Sequence, residues 1–166
     1  LSAGELLAAC ALTEGYNATW LPSYGPEMRG GSANASVIIS DEAIGSPVVD
    51  SPNVLLAMNG PALDAFEKSV VPGGTIVVNS SIATHASKRR NVKVVSVPAT
   101  QLAKDAGIVS GANVAMLTAY LAVSAQLSLD TLRSCIPQVL RKKAYLGQNL
   151  ALVDITLDYL SRQGYI

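Results

Sequence analysis

Charged and aromatic side chains are scarce in this sequence of 166 residues: Asp, Glu, Lys and Arg make up 14% of it, and Phe, Trp and Tyr 5%. The 12 basic residues balance the 12 acidic ones. That balance excludes a global field that would gather nucleic acid or an anionic membrane surface. No apolar run approaches the roughly 20 residues needed to cross a bilayer, so no membrane span is expected. The first residues carry neither a basic start nor a small-residue cleavage site, and so do not read as a signal peptide. The only cysteines are Cys10 and Cys135, far apart and each inside an apolar helical pattern. They read as buried thiols of a reducing compartment, which makes the cytoplasm the expected location. They also fall short of the four ligands an iron–sulfur cluster usually takes. The single histidine, His85, lies in no Ser–His–Asp or metal-ligand spacing. No metal site or autonomous hydrolase chemistry is expected.

What the sequence does have is small apolar residues. It is 49% hydrophobic, chiefly Ala, Val and Leu, which suits a sheet and helices packed closely together. Its length is that of one ordinary domain, 1–166. The low charge fits two situations equally: a well-packed monomer, or a surface partly covered by partner chains.

Periodicity predicts a helix from Ser2, where Ser2 and Glu5 have capping-box spacing and Leu6, Leu7, Cys10 and Ala11 form a stripe, to a stop at Gly15. A strand is expected over Tyr16–Leu21, a loop over Pro22–Gly31 and a second strand over Ala33–Ser40. Further strands are expected at Val54–Met58, Thr75–Asn79 and Val92–Val97. Helices are expected at Pro61–Lys68 and Thr100–Ala106. Val114–Ala125 is apolar on nearly every side and predicts a deeply buried helix. Ser128 is placed to cap the next helix, which Pro137 bends or ends. Leu150, Val153, Leu157 and Leu160 mark the last helix, with Gly164 just beyond it. The expectation is an α/β fold: a single three-layer domain with a largely parallel central sheet and a helical C-terminal part. Such domains normally open with a strand, so a strand and loop are expected before Leu1.

Three segments have the composition of functional loops. In Tyr24–Gly31, Pro26 fixes the backbone while Gly25, Gly30 and Gly31 permit close approach. Read from composition, it is either a tight surface turn or a rigid loop presenting Arg29 to an anion. Asn79, Ser80 and Ser81 follow an apolar strand, where ligands of open α/β sheets sit, so they are either ligand-lining or a turn cap. His85, Lys88, Arg89 and Arg90 form either a solvated basic loop or a contact for phosphates or an acidic protein face.

The octapeptide Tyr24-Gly25-Pro26-Glu27-Met28-Arg29-Gly30-Gly31 resembles the signature loop of the gamma subunits of pyruvate, 2-oxoglutarate and 2-ketoisovalerate:ferredoxin oxidoreductases. Ser36–Asp41, Ile44–Pro47, Val54–Asn59, Pro72–Gly74, Pro98–Thr100 and Asn113–Leu117 are similar to the family's successive blocks. The resemblance therefore covers nearly the whole chain. It implies a gamma subunit contributing to coenzyme A-dependent oxidative decarboxylation of a 2-oxoacid, with reduction of ferredoxin, and inactive alone. Thiamine diphosphate and iron–sulfur clusters are then expected on partners: thiamine-binding alpha and beta subunits and a ferredoxin-like delta subunit. No cofactor is expected on this chain by itself. The resemblance places Tyr24, Glu27, Arg29, Gly30 and Gly31 at the active-site border or partner interface. Family members open with a strand and a Gly-x-Gly-Gly-Gln-Gly loop, neither of which occurs from Leu1 onward. A free-standing nucleotide-binding module and the beta subunit of an indolepyruvate:ferredoxin oxidoreductase are the alternative readings.

Overall fold

A computed structural model describes residues 2–24 and 33–166, with Tyr24 described by its backbone alone. Helix α1 spans Ser2–Thr13 and buries Leu6, Cys10 and Ala11, the stripe expected from the sequence except that Leu7 is only half-buried. Ser2 lies inside this helix, and its hydroxyl accepts a hydrogen bond from Asn113 Nδ2. The expected capping box with Glu5 is thus replaced by a bond that joins two helices.

Strands β1 (Asn17–Tyr24) and β2 (Ala33–Ser40) pair antiparallel through the full register from Asn17↔Ser40 to Tyr24↔Ala33. The expected loop at Pro22 therefore starts later. An edge strand tolerates proline because its outward N–H has no ladder partner to lose, and Pro22, Ser23 and Tyr24 continue the pairing with Ala35, Asn34 and Ala33. This hairpin is a sheet of its own.

Parallel strands β3 (Val54–Ala57), β4 (Thr75–Asn79) and β5 (Lys93–Val97) form the other sheet, in that order. Side chains alternate between its faces. Val54, Leu56, Val77, Val95 and Val97 meet the large core, whereas Leu55, Ala57, Ile76, Val78 and Val94 meet a smaller one. The smaller core is closed by Leu63 of helix α2 (Gly60–Phe66) and by Val70, Ala83 and Val92. The large core is filled by α3 (Ala99–Asp105), α4 (Ala112–Ser124), α5 (Leu129–Val139), α6 (Leu146–Arg162) and α1. Helices thus cover both faces of a parallel sheet and continue into a helical C-terminal part, as the patterning predicts. The hairpin is the element that a largely parallel sheet does not describe.

Helix α4 is buried continuously from Val114 to Leu121, so every turn has a neighbour. Ser128 caps α5, accepting from Asp130 N at 3.1 Å, and Pro137 lies two residues before the end of that helix. The C-terminus protects the open edge of β5. Tyr165 Oη accepts from Ser96 N at 3.2 Å, and Tyr159 Oη donates to Ser96 O at 3.4 Å. These bonds occupy backbone groups that an edge strand otherwise offers to other chains.

Cys10 and Cys135 face each other across the α1–α5 contact, both fully buried and free. Burial, reinforced by the neighbouring Cys135, pushes the Cys10 thiol up to about 12, so it stays protonated and unreactive. A colourless-to-coloured thiol reagent is predicted to find no reactive cysteine in the native protein at mildly alkaline pH, and both after denaturation. Fast native labelling would contradict the packing.

The turn Pro72-Gly73-Gly74 gives a second test. Gly73 has a φ of +80°, and a Cβ on Gly74 would lie 2.6 Å from Asn53 O. Gly74→Ala is predicted to lower the denaturation free energy by about 1–3 kcal/mol, the usual cost of overpacking. Gly45→Ala, with open space around it, should change little in the same urea titration.

Candidate functional site

Two groups of elements carry the residues singled out by the sequence. The first is where α1 and α4 begin. The Ser2–Asn113 bond places their N-terminal turns side by side, and Asn113 Oδ1 also accepts from Val114 N at 3.0 Å. Gly111, the N-cap of α4, offers no side-chain acceptor. The N-terminus of α4 presents unpartnered N–H groups and the positive end of its dipole, which favour an anion.

The hairpin is fixed to this group by a close approach. A Cβ on Gly4 would meet Trp20 Nε1 at 3.0 Å and Ala35 Cβ at 3.3 Å, so glycine lets the indole lie on the first turn of α1. Trp20 is four residues from the Tyr24–Ala33 pair that closes the described hairpin, about 14 Å along a strand. Of the expected border residues, Tyr24 ends β1, and Glu27, Arg29, Gly30 and Gly31 lie outside the described residues.

The second is the C-terminal edge of the parallel sheet. Asn59, following β3, caps α2 by accepting from Ala62 N at 2.8 Å. Asn79 is fully buried at the end of β4. Its Nδ2 donates to Thr100 Oγ1 at 3.0 Å, and its Oδ1 accepts from Ser81 N at 3.3 Å and Thr100 N at 3.4 Å. Ser81 Oγ accepts from Gln101 N at 3.1 Å, and Ser80 is exposed. Asn79 and Ser81 therefore close the start of α3, while Ser80 remains open to solvent.

The basic loop is partly structural. Glu67, 9% exposed, accepts from Ser87 Oγ at 2.7 Å and Lys88 N at 3.3 Å. Arg89 Nη1 donates to Glu67 O at 2.6 Å, and its Nε donates to Asn91 Oδ1 at 3.0 Å. His85 Nε2 bonds Asp64 Oδ1 at 2.7 Å and its ring lies against Gly60. Lys88 and Arg90 stay exposed. Sequence reasoning missed Glu67, Asn113 and Thr100. Glu67 carried a signal in hindsight, being an acid on the apolar face of a helix.

Among the described residues no group of three or more His, Cys, Asp or Glu side chains is placed to hold a metal ion. No helix there is long and apolar enough to cross a membrane.

The family described as pyruvate ferredoxin/flavodoxin oxidoreductase matches residues 1–159. Ketoisovalerate oxidoreductase subunit VorA of Methanothermobacter marburgensis is 44% identical over 123 residues, covering 74% of this chain and 26% of that protein. The chain thus spans about a quarter of VorA's length. The 2-oxoglutarate synthase subunit KorC of the same organism is 34% identical over 139 residues, 78% of this chain and 75% of KorC. The solved gamma subunit of a keto/oxoacid ferredoxin oxidoreductase from Geobacter sulfurreducens superposes with a TM-score of 0.79 at 26% identity, over 94% of this chain and 88% of that one.

The role of Asn79 is open to a direct test. Asn79→Ala strands buried partners and is predicted to cost about 1–3 kcal/mol of stability in a denaturant titration. Ser80→Ala should be neutral there. An Asn79→Ala protein of unchanged stability would remove the capping role.

Proposed function

Since the chain belongs to the pyruvate ferredoxin/flavodoxin oxidoreductase family, we propose that it is the gamma subunit, or gamma-type domain, of a 2-oxoacid:ferredoxin oxidoreductase. The complex oxidatively decarboxylates a 2-oxoacid to an acyl-coenzyme A and reduces ferredoxin. The observation that carries this reading is the match over nearly the whole chain, joined to the gamma-subunit fold seen in the Geobacter structure. Of the 2-oxoacids, a branched-chain one is favoured by the greater identity to VorA than to KorC.

The chain's own residues supply placement rather than redox chemistry. Cys10 and Cys135 are a buried facing pair, which does not fit the four-thiolate set of an iron–sulfur cluster. Clusters and thiamine diphosphate therefore belong to partners: the thiamine-binding alpha and beta subunits and a ferredoxin-like delta subunit. Thiamine diphosphate supplies the carbanion chemistry there. The N-terminus of α4, beside the first turn of α1, suits an anionic group, and coenzyme A brings several. Tyr24, Glu27, Arg29, Gly30 and Gly31 border the active site or a partner, with Arg29 as the anion contact. Two buried free thiols suit the reducing cytoplasm, where we place the complex.

Reconstitution with the thiamine-binding partners tests the reading. The chain alone is predicted to show no 2-oxoacid oxidation, and the assembled complex to show coenzyme A-dependent ferredoxin reduction. Arg29→Ala should lower kcat/KM by about tenfold or more, the loss of one charge-assisted contact, with the melting temperature unchanged. Full turnover in that variant removes Arg29 from the site. Full turnover of partners lacking this chain removes the subunit role.

A further inference from the structure

The turn between α5 and α6 frames a cleft of about 240 Å³ that no step above uses. Its floor is apolar: Ile136, fully buried, with Pro137, Leu140 and Leu146 around it. Its rim carries Lys142 and Lys143, both exposed, and no acidic side chain lines it. Neither lysine enters an ion pair among the described residues.

Asn149 decides what the cleft is for. It is only 7% exposed and lines the cleft, yet its side-chain amide makes no hydrogen bond among the described residues. A buried amide left without a partner is costly. Thr19 Oγ1 is the sealed side-chain polar atom without a partner among the described residues, so the Asn149 amide reaches solvent through the cleft. The start of α6 adds to this. Its first turn holds no acid to repel an anion, and Leu146 N donates to Lys143 O in the preceding turn.

Apolar floor, amide donor and two free ammonium groups together specify an anion with a hydrocarbon tail. The volume lies below the roughly 300–1,000 Å³ of sites for drug-sized ligands, which suits a small ligand. We propose that this cleft binds a small aliphatic carboxylate, its chain on Ile136, Pro137, Leu140 and Leu146 and its carboxylate toward Asn149, Lys142 and Lys143. The site is independent of the gamma-subunit reading, since it uses none of the residues assigned to it.

Nuclear magnetic resonance on the full-length protein, isotope-labelled at Leu and Ile methyls and Asn side-chain amides, tests the proposal. The probes are isocaproate, its neutral amide, and inorganic phosphate. Isocaproate is expected to give saturable shifts at Leu140, Leu146 and Asn149. The double variant Lys142→Gln, Lys143→Gln should bind about tenfold more weakly, as two exposed charges warrant. Asn149→Leu should abolish binding, and the exposed lysine variants keep the test valid if that buried change unfolds the protein. Three results overturn the proposal: no saturable shift with isocaproate, equal binding of the neutral amide, or equal binding of phosphate.

Discussion

A helix that is apolar on every side has to be surrounded, and α4 imposes that requirement on the rest of the chain. Its buried run from Val114 to Leu121 leaves no solvent face. Even its polar residue turns inward, with Thr118 Oγ1 donating to Val114 O at 2.7 Å. Each fully buried side chain of Leu or Met size contributes about 1.5–3 kcal/mol, so the neighbours that exclude water from α4 hold the fold. The sheet supplies one wall through Val77, Val95 and Val97. α1, α3, α5 and α6 supply the others.

This arrangement also sets where function can lie. With the interior given to small apolar side chains, polar groups collect at the ends of elements, and most are consumed in closing helices. Asn59 closes α2, Asn79 and Ser81 close α3, and Ser128 closes α5. Glu67 and Arg89 tie down the long connection between β4 and β5. The start of α4 has no such closing side chain at its cap, and it lies beside the hairpin that Trp20 anchors to Gly4. A chain built this way has the means to seat an anion or a partner. That is the part proposed for a gamma subunit.

The parallel strands were legible because Val54–Ala57 and Val77–Val78 are apolar without interruption, as strands buried on both faces must be. The capping role of Ser128 and the burial of α4 followed from local rules for the same reason: their causes are local. The hairpin was harder. Pro22 reads as a break, and only the cross-strand partners Ala35 and Ala33 show why pairing continues past it. The bond from Asn113 to Ser2, the burial of Glu67 under Ser87, and the facing of Cys10 by Cys135 all join distant residues. No period or spacing encodes them. For the Tyr24–Gly31 loop a function is proposed from resemblance alone, since its composition fits an ordinary turn equally well.

The most direct test of the account is what the protein brings with it from its source cell. A tag on the full-length protein, gentle purification under anaerobic conditions, and mass spectrometry of the copurifying chains would give the answer. The account predicts a stable complex containing a thiamine diphosphate-binding chain, iron–sulfur clusters, and ferredoxin reduction with a 2-oxoacid and coenzyme A. Recovery of the protein by itself, fully folded and with no thiamine-binding partner at any ionic strength, would contradict it.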